Sequence, residues 1–142
     1  MAFWDSSALV PLCVNEGRSK EAGRLWNRFL EKWIWRETPV EIESSLARLR
    51  RENILDDTRY AKARSRFQTL ERDLTPVSHE PRLIELARSL PASHGLRSLD
   101  SLQLASALIW CKEFPRNKDF VSGDSQLLEA AENLGFAIHD IN

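Results

Sequence analysis

The spacing of apolar residues changes period several times along the chain, and each change predicts a new element. Ala2-Phe3-Trp4 predicts a short strand ending at Asp5-Ser6-Ser7, after which Ala8-Leu9-Val10 and Leu12-Cys13-Val14 predict a short helix. From Ser19 to Glu31, residues Ala22, Leu25, Trp26, Phe29 and Leu30 recur at helical spacing, and Trp33-Ile34-Trp35 then has the pattern of a buried strand. Thr38-Pro39-Val40-Glu41 places Thr as N-cap, Pro at the first helical position and Glu three residues after the cap, predicting a helix to about Asn53. Asp56 to Glu71 predicts another helix, with Tyr60, Ala63, Phe67 and Leu70 on one face, and Leu74 to Val77 a brief strand.

Pro81 opens a helix to about Leu90, and Ser98 caps the next, whose stripe is Leu102, Ala105, Leu108 and Ile109. Phe120-Val121-Ser122 predicts a strand running into Gly123-Asp124. Leu127 to Leu134 is helical, Gly135 is its C-cap, and Phe136-Ala137-Ile138 predicts a last strand. Short strands alternating with helices predict a three-layer α/β/α fold on a mainly parallel sheet of about four to five strands. At 142 residues the chain is expected to form one domain, 1–142.

Composition narrows the class without naming a chemistry. Hydrophobic residues make up 42% and charged residues 29%, with only five Gly and six Pro, which is globular usage and leaves little room for linkers. The apolar stretch around Leu104 to Cys111 is broken well before the roughly 20 residues a bilayer requires, so no membrane role is expected. Met1-Ala2-Phe3-Trp4-Asp5 lacks the basic start of a secretory signal, making the cytoplasm the expected compartment. Cys13 and Cys111 lie in apolar segments without zinc-finger spacing and read as reduced core residues. A net charge of −1 lacks the basic surplus of many nucleic-acid binders, so any RNA contact rests on local charge.

Candidate chemistry lies in four acids. Ligands of open α/β sheets gather beyond the carboxyl ends of strands. Asp5 and Asp124 follow predicted strands, while Glu41 and Asp100 fall in the first turns of helices that can point at the same edge. Taken singly, each has a bland explanation, because Asp is a favoured N-cap and acids in a first turn complement the helix dipole.

Taken jointly, four segments occur in one order: Asp5-Ser6-Ser7-Ala8-Leu9-Val10, Val40-Glu41-Ile42-Glu43-Ser44-Ser45-Leu46-Ala47-Arg48, Leu99-Asp100-Ser101-Leu102-Gln103-Leu104-Ala105 and Phe120-Val121-Ser122-Gly123-Asp124. This set resembles the PIN-domain family, most closely its bacterial toxins of the virulence-associated protein C type, from the first strand to the last. The resemblance implies a metal-dependent endoribonuclease in which Asp5, Glu41, Asp100 and Asp124 are catalytic metal ligands, with Ser6 and Ser122 as hydrogen-bonding supports. Gln103 stands where many relatives carry His, and Gly123 where many carry a larger residue. Hard oxygen ligands suit Mg²⁺, with Mn²⁺ as the other candidate. Such an ion would activate water for in-line attack and leave products with 5′-phosphates. The resemblance further implies an RNA substrate, a small antitoxin covering the acidic pocket, and a homodimer.

The remaining residues carry weaker signals. His79, His94 and His139 are scattered without paired spacing. Arg48, Arg50, Arg51, Arg59, Lys62, Arg64 and Arg66 concentrate positive charge on two predicted helices, as either a solvated face or an RNA contact. The five tryptophans fall mostly in apolar patterns and are expected in the core. Rival readings are a phosphotransfer domain or phosphatase, against which the Asp-x-Asp start is absent, a non-catalytic PIN-like scaffold, and a housekeeping RNA-processing nuclease.

Overall fold

In the computed structural model, which describes residues 1–142, the elements run β1 (Ala2–Trp4), α1 (Ser6–Cys13), α2 (Ser19–Arg28), β2 (Lys32–Ile34), α3 (Thr38–Arg51) and α4 (Asp57–Glu71). They continue β3 (Leu74–Pro76), α5 (Pro81–His94), α6 (Ser98–Trp110), β4 (Asp119–Ser122), α7 (Ser125–Leu134) and β5 (Ala137–Asp140). All strand pairings are parallel, and the five strands lie in the order β3-β2-β1-β4-β5. No helix is long and apolar enough to cross a membrane.

Central strand β1 is buried at every position, because helices cover both faces of the sheet. Its alternate side chains feed two cores. Ala2 and Trp4 pack with Leu9, Leu25, Ile42, Leu46 and Phe67 from the α1–α4 layer. Phe3 packs with Phe120, Leu83, Leu104, Leu108 and Leu127 on the α5–α7 side. The register Phe3↔Phe120 stacks those two rings at 5.6 Å between centroids. The three-layer arrangement is therefore built by the period-2 direction of side chains on a few short strands.

Sheet order places a switch point at β1. The chain moves outward from β1 to β2 and β3, then returns to the other side of β1 with β4 and β5. Connections leave neighbouring β1 and β4 in opposite directions, opening a crevice at their carboxyl ends. Asp5 and Asp124 follow those two ends.

Several boundaries differ from the sequence expectation for local reasons. Helix α2 stops at Arg28, and Leu30 is left exposed in the connection. Strand β2 begins at Lys32, whose ammonium lies over the Trp26 ring at 4.3 Å. Helix α5 continues past Leu90 to His94, with Pro91 in its last turn, and closes at Gly95, where φ is 64°. Thr38 is not an N-cap: Glu37 occupies that position without a side-chain cap bond, so no capping box forms with Glu41. Likewise Ser98 is the first residue of α6, and Arg97 precedes it as an uncapped N-cap.

Candidate active site

Asp5 leaves β1 in extended conformation and caps α1, its carboxylate accepting the Ser7 backbone N–H. Only 4% of its surface is exposed. Its Oδ2 accepts from the Ser7 N–H at 3.2 Å, from the Ser122 hydroxyl at 2.9 Å and from the Ser7 hydroxyl. Those hydroxyls are held in turn by the β4–α7 junction: Gly123 N–H donates to Ser7 Oγ at 2.8 Å and Asp124 N–H donates to Ser122 Oγ at 3.0 Å. Three donors thus engage Oδ2, whereas Oδ1 receives only a long bond from Ser6 at 3.4 Å. One oxygen fixes the side chain, and the other is left with the freer lone pairs.

Ser6 also donates toward Glu41 Oε2 at 3.3 Å, so the Asp5 and Glu41 carboxylates bracket one hydroxyl. Glu41 is half-buried on the first turns of α3, and Gln103 Nε2 donates to its Oε1 at 2.6 Å. The same Gln103 amide donates to Thr38 Oγ1 at 3.0 Å. Gln103 is buried on α6, and its Oε1 has no hydrogen-bond partner. That orphan is consistent with the amide's orientation: turning the ring of contacts over would set the oxygen against the Glu41 carboxylate.

Asp100 lies in the first turn of α6, 3.6 Å from the Arg97 guanidinium. Asp124 caps α7 by accepting the Leu127 N–H at 2.9 Å. Beside this edge a cleft of about 640 Å³ runs between the starts of α3 and α6, with Glu41 and Asp100 in its lining.

The four acids form one electrostatic unit. Burial is the largest cause raising the Asp5 carboxyl above its ordinary value, against the opposing bonds from Ser7 and Ser122, and the Asp100 charge adds to the rise. Glu41 is pushed up to about 7, first by burial and then by Asp5 and Asp100, against the donors Gln103 and Ser6. Asp100 is raised by burial and by Asp124, with Arg97 pulling it down. Loss of hydration leads in each case, and the charge of a neighbouring carboxylate adds to it.

All four predicted acids therefore lie at the same sheet edge; Ser6 bonds to Asp5 and Glu41, and Ser122 donates to Asp5 while accepting the Asp124 backbone N–H. As the side chains stand, no three acidic, histidine or cysteine groups are gathered at metal-ligand distance. In kind the donors fit a hard divalent cation, being oxygen throughout with no His or Cys among them. Ser7 and Thr38 also bond within this network. Ser7 was legible as the residue two beyond an Asp N-cap, but the role of Thr38 depends on α6 and had no local signal. Burial pushes the Cys13 thiol up to about 12 and also raises Cys111, which disfavours the thiolate at both. His139 pairs with Asp119 at 2.7 Å, on the opposite end of β4 from Asp124.

Comparison with known proteins adds to this geometry. The PIN domain matches residues 2–133. Ribonuclease VapC45 and Ribonuclease VapC49, from two strains of Mycobacterium tuberculosis, are each 29% identical over 108 residues, covering 76% of this chain and 75% of the relative.

Proposed function

Because the chain belongs to the PIN domain family, we propose that it is an endoribonuclease using Mg²⁺ or Mn²⁺, and the toxin of a type II toxin–antitoxin module. The observation that carries the reading is the coupled set Asp5, Glu41, Asp100 and Asp124 at the switch point of the sheet. Similarity to two proteins named ribonucleases supports the reaction class.

Each acid has a role in this scheme. Asp5, locked through Oδ2, presents Oδ1 to a cation. Glu41 is oriented by Gln103 and Ser6. Asp100 and Asp124 contribute carboxylates from the starts of two further helices. A bound divalent cation would neutralise this charge and activate water for attack on an RNA phosphodiester. Ser7 and Ser122 hold Asp5 against β4 so that the ligands keep their spacing. Partners in this reading are RNA, a small antitoxin that covers the acidic cleft, and a second copy of the chain, with action in the cytoplasm as one domain spanning 1–142.

The test uses Asp5→Asn, Glu41→Gln, Asp100→Asn and Asp124→Asn, which remove charge and nearly preserve shape. Asn caps a helix as well as Asp does, so a merely structural role leaves cleavage and cation response intact. The proposed role predicts cleavage lowered by at least about 100-fold, beyond the roughly 10–100-fold typical of supporting residues. It also predicts a smaller rise in Tm on adding Mg²⁺, because cation binding stabilises the folded chain by mass action. Wild-type cleavage in EDTA, or full activity in all four variants, would sink the metal mechanism and favour the scaffold reading. Loss of growth inhibition on co-expression with a neighbouring small protein tests the toxin assignment separately. A chain that cleaves RNA but never inhibits growth is a housekeeping nuclease.

A further inference from the structure

The basic run noted in the sequence divides in the fold. Arg50 pairs with Asp57 at 2.9 Å and lies over the Tyr60 ring, and Arg64 pairs with Glu43 at 3.0 Å. Arg66 reaches the Leu12 carbonyl at 3.5 Å. Arg48 is different: it is exposed, enters no ion pair, and lines the same cleft as Glu41 and Asp100. Arg97 faces that cleft from the residue before α6, its side chain 83% exposed and 3.6 Å from Asp100. Two cations thus stand beside two acids of the candidate site.

The same cleft contains apolar surface. Val40 is 68% exposed and Leu99 50% exposed, each in the first turn of a helix that lines it. Its volume of about 640 Å³ falls in the range of about 300–1,000 Å³ that accommodates a small organic ligand. Cations for phosphate, apolar side chains for the face of a base, and the acid site adjoining both match one nucleotide of a chain whose next phosphate lies at the acids. A base reaches such side chains only when unstacked, which single-stranded RNA permits.

We propose that the α3–α6 cleft is a nucleotide subsite in which Arg48 and Arg97 bind the phosphates of a single-stranded RNA segment and Val40 and Leu99 contact its base. It rests on the nuclease reading for the direction in which the strand leads, and on the cleft alone for binding.

The test measures binding of a fluorescent five-nucleotide RNA to full-length protein carrying Asp124→Asn, with Mg²⁺ present. Asp124 does not line the cleft, and its substitution keeps the probe intact. Arg48→Gln and Arg97→Gln should each weaken Kd about tenfold, as loss of a charge-assisted bond does. The dependence of log Kd on log salt should fall by about 0.7 for each lost contact. Arg48→Lys should retain most of the affinity, Arg88→Gln, an exposed arginine of α5, should leave Kd within twofold, and duplex RNA of the same sequence should bind more weakly. Binding unchanged in the double arginine variant overturns the proposal, as does an equal loss in Arg88→Gln or displacement of the RNA by pentaglutamate at equal concentration. Cleavage by chains retaining Asp124 separates the two readings. Cleavage with arginine-independent binding removes the subsite alone, whereas arginine-dependent binding without any cleavage keeps the subsite and removes the nuclease.

Discussion

Burial and the charges of Asp5 and Asp100 raise the Glu41 carboxyl from its ordinary 4.5 to about 7. Between those values the folded chain binds more protons than the unfolded one. Its contribution to the stability of the cation-free protein is therefore full below about pH 4.5 and lost as pH rises through about 7. Glu41→Gln carries an uncharged amide throughout, which removes this decline. Discounted for the solvent-exposed part of the carboxyl, the effect is on the order of 1 kcal/mol, or about 4 °C in Tm for a chain of this length. In EDTA, wild-type Tm should fall more steeply than that of Glu41→Gln between pH 5 and pH 8, and the variant should melt higher at pH 8. Parallel melting curves for the two proteins would contradict the assignment. Adding Mg²⁺ should reduce the difference, because a cation replaces the proton as the neutralising charge.

Gly123 sits between strand β4 and helix α7, and the space around it is closed by other parts of the chain. A Cβ there would lie 2.9 Å from Arg18 Nη1, 3.0 Å from Ile141 Cγ1 and 3.1 Å from Ile141 Cδ1. The arginine tip can swing away cheaply, but Ile141 is buried and must shift. Gly123→Ala should cost about 1–3 kcal/mol by overpacking. It should also reduce RNA cleavage, since the flanking residues Ser122 and Asp124 hold Asp5 and supply a ligand in the proposed site. Ile141→Val in the same chain removes the nearest methyl group and should recover part of the Tm. Unaltered stability of the single variant, measured by calorimetry, would show that the junction has room. Relatives with a larger residue at this position are expected to carry a smaller partner where Ile141 stands.

Both hydrophobic clusters share the five-stranded sheet, with β1 and β4 contributing to each. Phe120 is fully buried between Phe3 and Phe136, at 5.6 Å and 5.5 Å between ring centroids. Phe120→Ala should cost about 3–5 kcal/mol. Although Phe120 belongs to the α5–α7 cluster, the loss should propagate through β4, because Val121 packs in the other cluster. Tryptophan fluorescence and far-ultraviolet circular dichroism should therefore report one coincident unfolding transition in both wild type and variant. Two separated transitions would count against a single folding unit over residues 1–142.

Local pattern was sufficient for the elements, since each carries its own period: Ala2-Phe3-Trp4 as a strand, Asp56 as a cap bonded to the Arg59 N–H, and Gly135 as a C-cap with φ of 111°. Local pattern also placed Asp5 and Asp124 after strands and Glu41 and Asp100 in first turns, but it was the resemblance of four ordered segments to the PIN-domain family, and not their spacing, that implied a metal site. Strand order was not local. Which of five short apolar segments becomes central depends on the helices that cover both of its faces, and only packing places β1 between β2 and β4. Glu41 marks the boundary most clearly. Sequence pattern assigned it to a capping box with Thr38, whereas the fold brings Gln103 from 62 positions away to bond both residues. A hydrogen bond between distant helices outcompetes a cap where burial removes water as the alternative partner. The same holds for Ser7 and Ser122, whose shared hold on Asp5 exists only because β1 and β4 are neighbours.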